Sequence, residues 1–157
     1  MPKSNSTVTS VGLVRVELNI EIDASREKVW NAIIEDIGIW WPRDFYACAN
    51  TKKFVIEPKV GGRLYEDAGD GNGVLWYTII AIEATKSMNL AGYLAPPYAG
   101  PATTLLRLEL ESTAKQKTTL KVSDSVFGNV DESSVASLDA GWRALFADGL
   151  KKYVQSY

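Results

Sequence analysis

The sequence predicts an α+β fold: a curved antiparallel sheet of six to seven strands wrapped around a long C-terminal helix, with two short helices after the first strand. Three observations carry this. Residues 12–22, "GLVRVELNIEI", alternate strictly between apolar and polar, the pattern of a half-buried strand. Residues 53–127 hold short strand-like runs separated by turn signals. The last 27 residues, from Asp131 to Tyr157, repeat apolar positions at steps of three and four. An antiparallel sheet with its helices on one face is an α+β arrangement.

Residues 1–10 are rich in Ser, Thr and Asn and read as a flexible tail; residues 11–157 read as one domain, with no internal repeat. In the first strand Val14, Val16, Leu18, Ile20 and Ile22 share one face. "DASREKVWNAIIED" (23–36) follows as a helix, with Asp23 or Ser25 as its cap and Gly38 as its stop. Strands are expected near 53–57, 62–67, 74–83, 87–94, 103–111 and 117–127. The separators "KVGG", "DAGDGNG", "EATKS", "APPYAGP" and "STAKQK" are turn chemistry, so the strands form a meander. In the final helix Val135, Leu138, Trp142, Leu145, Gly149 and Tyr153 form the apolar seam. Asp131 or Ser133 caps its start, and Lys151 and Lys152 suit the negative end of its dipole. Gly141 and Gly149 remove side-chain volume on or beside that seam, so sheet and helix are expected to leave a space between them.

Composition excludes several functions. The chain has 157 residues, 46% of them hydrophobic and 23% charged, enough for a substantial core. Its formal charge is -2 and no basic stripe appears, so the electrostatic footprint of nucleic-acid binding is missing. No apolar run reaches membrane-spanning length, and the N-terminus carries no apolar signal region. A single cysteine, Cys48, rules out an internal disulfide framework and fits a reducing, cytoplasmic setting. It reads as an inert, partly buried thiol. There is no histidine at all. That removes Ser-His-Asp and Cys-His catalysis and most zinc sites, so neither metal nor cofactor is expected.

"IWWPRDF" (39–45) places two adjacent tryptophans, a proline and a phenylalanine just past a helix. Neighbouring side chains on regular structure point in different directions, so both indoles cannot easily bury on one face. Trp40 and Trp41 read either as a plug closing one end of the core or as a cavity wall, and the two are compatible, since one indole can plug while the other lines. Phe45 and Tyr46 extend the same wall. Trp142 faces the sheet from the long helix. The alternation around Trp76 is too even to choose its face. Two carboxylates, Glu66 and Asp124, share parity with apolar neighbours, and a buried carboxylate needs partners or a function. Asp124 lies near its strand's end, so exposure at the rim is expected; Glu66 is the candidate for a polar group inside the cavity. The loop "YLAPPYAGPA" (93–102), with Tyr93 and Tyr98, reads either as a lid or as a plain connection with both tyrosines on the rim. Gly61-Gly62 lacks the strand-to-helix context and Lys-Ser/Thr of a phosphate loop and reads as a tight turn.

Four stretches together carry a resemblance: "IEIDASREKVWNAI" (20–33), "IWWPRDF", "IEPKVGGRLYE" (56–66) and "AGWRALFADGLKKYV" (140–154). In this order they resemble the START-like, SRPBCC helix-grip superfamily. The branch most similar is the Aha-type domain of Hsp90-ATPase activator homologues and their small bacterial relatives. Such proteins include lipid and hormone carriers, polyketide cyclases and dehydratases, and co-chaperone domains, so the fold alone leaves function open. Leu64 stands where tryptophan or phenylalanine is frequent in the family, which implies a differently shaped pocket. The resemblance and the residues together predict binding of a small apolar or aromatic molecule between sheet and helix, without assumed catalysis. Trp40, Trp41, Phe45, Leu64, Glu66, Trp76, Tyr93, Tyr98, Asp124 and Trp142 are the candidate ligand-binding residues. Two alternatives stand beside it: a cyclase- or dehydratase-like enzyme using Glu66 or Asp124 as acid or base, and a co-chaperone-like or homodimeric interaction domain.

Overall fold

The structure, a computed structural model, describes residues 2–157; Met1, the first residue of the expected tail, lies outside them. Residues 2–11 form no helix or strand. The first strand, β1 (Gly12–Ile22), buries Val14, Val16, Leu18, Ile20 and Ile22 and exposes the residues between them. Helix α1 (Arg26–Glu35) starts at Ser25, whose hydroxyl accepts the Lys28 N–H at 3.2 Å. Of the two expected caps it is therefore Ser25 that satisfies an orphan donor of the first turn. Gly38 does not end this helix. It sits within a second, four-residue helix, α2 (Ile37–Trp40), where the backbone runs so near the next strand that a Cβ would come 3.1 Å from the Phe54 carbonyl oxygen.

Six strands follow: β2 (Lys53–Ile56), β3 (Arg63–Gly69), β4 (Asn72–Glu83), β5 (Ser87–Leu94), β6 (Ala102–Ala114) and β7 (Lys117–Gly128). They pair as an antiparallel meander, and β1 closes against β7, giving the order β1-β7-β6-β5-β4-β3-β2. This is the seven-stranded helix-grip fold that the sequence predicts. Gly61 has φ +78° in the turn between β2 and β3. Left-handed backbone of this kind favours glycine, so the double glycine is the tight turn it was expected to be.

The C-terminal helix runs as α3 (Ser134–Arg143), a π-helical stretch (Ala144–Lys151) and a last α turn, α4 (Lys152–Gln155). It lays Trp142, Leu145, Phe146, Leu150 and Val154 into the core. Ser133 occupies the N-cap position but caps no helical N–H; Asp131 instead accepts the Ser133 N–H at 2.9 Å. The two glycines of this helix behave differently from expectation. A Cβ on Gly141 would meet nothing within 4 Å, so this glycine does not set the space between helix and sheet. A Cβ on Gly149 would lie 3.2 Å from the Trp40 carbonyl oxygen. Gly149 lets the helix approach the tryptophan turn.

Candidate functional site

The tryptophan turn divides its two indoles by a change of backbone. Trp40 ends α2, while Trp41 is extended. Trp40 turns back into the core, donates its N–H to the Ala32 carbonyl at 2.8 Å and packs against Phe146. Trp41 stacks on Phe54, with ring centroids 4.7 Å apart, and its other side faces a cavity. One tryptophan plugs and the other lines.

That cavity lies between the inner sheet face and the C-terminal helix and measures about 160 Å³. Trp41 and Phe45 form one wall; Leu138, Trp142 and Leu145 descend from the helix. Trp76, Tyr77, Leu94, Thr104, Asp124 and Val126 come from four strands of the sheet. Trp76 and Tyr77 are adjacent, yet both reach the cavity. Leu64 pairs with Tyr77 while Tyr65 pairs with Leu75, so Trp76 is the extra residue of a β-bulge. A bulge breaks the two-residue alternation and re-aims a side chain, which is why parity could not choose the face of Trp76. Beneath Tyr77, Gly92 leaves room for its ring: a Cβ there would come 2.9 Å from the ring edge.

Neither inward carboxylate takes its expected position. Asp124 is not at the rim. Its strand is flanked by β1 and β6, where it pairs with Val16 and Leu106, and it is 2% exposed. Its Oδ1 accepts the Thr104 hydroxyl at 2.6 Å and its Oδ2 accepts the Trp142 indole N–H at 2.8 Å. Tyr77 Oη lies 3.3 Å from Thr104 Oγ1; because the Thr104 proton is given to Asp124, Tyr77 is the donor of that pair. Burial raises the Asp124 pKa, and the bonds from Thr104 and Trp142 oppose the rise without cancelling it. Burial and the nearby Asp124 charge push the Tyr77 phenol up as well.

Glu66 does not line the cavity. It is 1% exposed and holds the segment after the tryptophan turn to the sheet. It accepts the backbone N–H groups of Ala47 (2.8 Å) and Cys48 (3.0 Å), the Thr51 hydroxyl (2.6 Å) and the Trp76 indole (2.7 Å). Burial alone would raise its pKa; the four donors outweigh that and lower it. Cys48, half-buried and free, contributes its backbone to this clamp.

Of the ten candidate residues, then, the cavity brings together Trp41, Phe45, Trp76, Asp124 and Trp142. Trp40 and Leu64 are core, Tyr93 and Tyr98 are exposed, and Glu66 is the clamp. Sequence reasoning missed Tyr77, Leu94, Thr104, Val126, Leu138 and Leu145 as lining residues. For Thr104 no local signal existed, since what lies across a strand is set by register. Leu138 and Leu145 could have been found, because they share the helix seam with Trp142. Among the described residues no cluster of three or more His, Cys, Asp or Glu could hold a metal, and no helix is long and apolar enough to cross a membrane.

The family described as "Activator of Hsp90 ATPase homolog 1-like protein" matches residues 23–155. The chain belongs to this family. No curated protein matches it in sequence. Solved structures similar to this Hsp90-activator-homologue-like chain share its fold at low identity. MLL2253 from Mesorhizobium loti superposes with a TM-score of 0.66 at 20% identity, covering 90% of this chain and 97% of that one. DynU16, a protein of the dynemicin biosynthetic locus, has a TM-score of 0.65 at 22% identity over 90% of this chain. The chain spans about half of DynU16, 47% of its length. Norcoclaurine synthase from Thalictrum flavum, solved in complex with dopamine and hydroxybenzaldehyde, has a TM-score of 0.63 at 15% identity, with 98% of both chains covered.

Proposed function

We propose that this protein is a binding module that holds a small apolar or aromatic molecule between its sheet and its C-terminal helix. The observation that carries the reading is the cavity itself. Its walls are aromatic and aliphatic, and a few polar groups converge at one place, around Asp124. An apolar concavity with a small number of placed polar groups is the usual form of a small-molecule site. The similarity in fold to norcoclaurine synthase, whose structure contains two small aromatic molecules, agrees with this reading.

The test uses the protein's own reporters. Trp41, Trp76 and Trp142 all line the cavity, so a bound aromatic ring alters their fluorescence. Titration with one-ring aromatics is expected to give a saturable change, and native mass spectrometry the added mass of one molecule per chain. A fluorescence trace that stays linear with every probe, together with an unchanged mass, would refute the module.

One observation favours a second reading, an enzyme of the cyclase or dehydratase kind. Asp124 is a buried carboxylate with a raised pKa at a cavity wall, joined to a tyrosine through Thr104. Perturbed groups of this sort cluster at catalytic sites. In this reading Asp124 takes a proton from a bound ligand. Recovering bound aromatic carbonyl probes chemically unchanged after prolonged incubation would count against it.

A further inference from the structure

The polar hydrogens of the cavity wall can be followed one by one, and none is left for a ligand. The Trp142 N–H goes to Asp124 Oδ2 and the Thr104 hydroxyl proton to Asp124 Oδ1. Tyr77 donates to Thr104. The Trp76 N–H is turned away from the cavity contents to Glu66. The Trp41 N–H has no partner, but its nitrogen has essentially no accessible surface and so offers nothing to a molecule in the cavity. What remains unused is all acceptor: one further lone pair on each Asp124 oxygen and the lone pairs of the Tyr77 hydroxyl. An ionised Asp124 also places a negative charge in a confined, mostly apolar space, where a like charge is strongly disfavoured. Size adds a second limit. At about 160 Å³ the cavity is close to the ~150 Å³ that accommodates a benzene molecule in an apolar protein interior.

We infer that the cavity selects a single-ring aromatic ligand bearing an O–H or N–H donor, a phenol or an aromatic amine, and rejects aromatic carboxylates. This rests on the binding reading above and sharpens it. The donor meets Asp124 or Tyr77, and the ring lies among Trp41, Trp76 and Trp142. Direction follows from one residue. In an Asp124→Asn variant the amide Nδ2 donates to Thr104 Oγ1 while Oδ1 keeps the Trp142 N–H. The Thr104 proton then turns to Tyr77, and the Tyr77 proton is released toward the cavity. The polar end then presents a donor, which a phenol oxygen and a nitrile nitrogen can both accept, and the preference for donor ligands is lost.

Four rings of similar size test this by calorimetry: phenol and aniline as donors, benzonitrile as an acceptor only, and benzoate as an anion. Phenol and aniline are expected to bind about tenfold or more tighter than benzonitrile, the ratio that one hydrogen bond to a charged acceptor supplies. Benzoate is expected to give no heat of binding. The Asp124→Asn variant is expected to bind phenol and benzonitrile with similar affinity. Equal affinity of the wild-type protein for phenol and benzonitrile, or measurable benzoate binding, would overturn the inference and leave the binding module standing. Failure of all four rings to bind would overturn both. The wild-type series alone decides the matter even where the variant does not fold.

Discussion

Glu66→Ala is expected to destabilise the protein by about 3–5 kcal/mol, because several buried donors lose their acceptor at about 1–3 kcal/mol each and water can reach some of them. The donors are the N–H groups of Ala47 and Cys48, the Thr51 hydroxyl and the Trp76 indole. Two consequences separate this from a generic loss of packing. First, the freed Trp76 ring belongs to the cavity wall, so ligand binding weakens along with stability. Second, the acid dependence changes. The folded-state pKa of Glu66 is lowered below the ordinary glutamate value of 4.5. Its stabilising contribution is therefore fully present above about pH 4.5 and is lost as pH falls through the lower folded value. Denaturant titrations across that range are expected to show an acid-induced decline in the wild-type protein that is shallower in Glu66→Ala. Asp124 acts in the opposite sense: its folded pKa is raised, so its contribution is present at low pH and is lost as pH rises through that value. An unchanged denaturation midpoint in Glu66→Ala at neutral pH would show that the clamp does not hold the segment.

Val126→Phe is expected to abolish binding of one-ring aromatics, by about a hundredfold or more, with little loss of stability. Val126 is 1% exposed and lines the cavity beside Asp124. The added ring occupies the volume a ligand would take. In a packed core such a change strains its neighbours by about 1–3 kcal/mol. Here the ring extends into the cavity rather than into packed neighbours, so the strain is smaller. The pairing of retained stability with lost binding is the diagnostic result, read by thermal melting and by calorimetry on the same sample. Undiminished phenol affinity in Val126→Phe would place the binding site elsewhere on the molecule.

Much of this architecture is legible in the amino-acid order. Burial in β1 follows its alternation residue by residue, because a strand at the edge of a one-sided sheet has one wet face and one dry face. The long helix announces itself by the spacing of Leu138, Trp142 and Leu145, since burying an apolar stripe requires that period. That the two tryptophans of the turn take different directions also follows from adjacency. The absence of histidine limits the chemistry whatever the fold does.

The polar heart of the site was decided by tertiary structure. Parity put Glu66 and Asp124 on the inner face, but parity says nothing about what stands opposite. Register sets Asp124 between Val16 and Leu106, in the reach of Thr104 on the next strand and Trp142 on a helix 18 residues away in sequence. The same register brings Glu66 under the loop that follows the tryptophan turn, where four donors converge. A bulge opposite Leu64 and Tyr65 turned Trp76 toward the cavity against the alternation of its own strand. Local sequence fixes which face a side chain takes, because that depends on the backbone period alone. Which partner it meets there depends on strand pairing and helix docking, and those arise only when distant segments compete to bury the same surface.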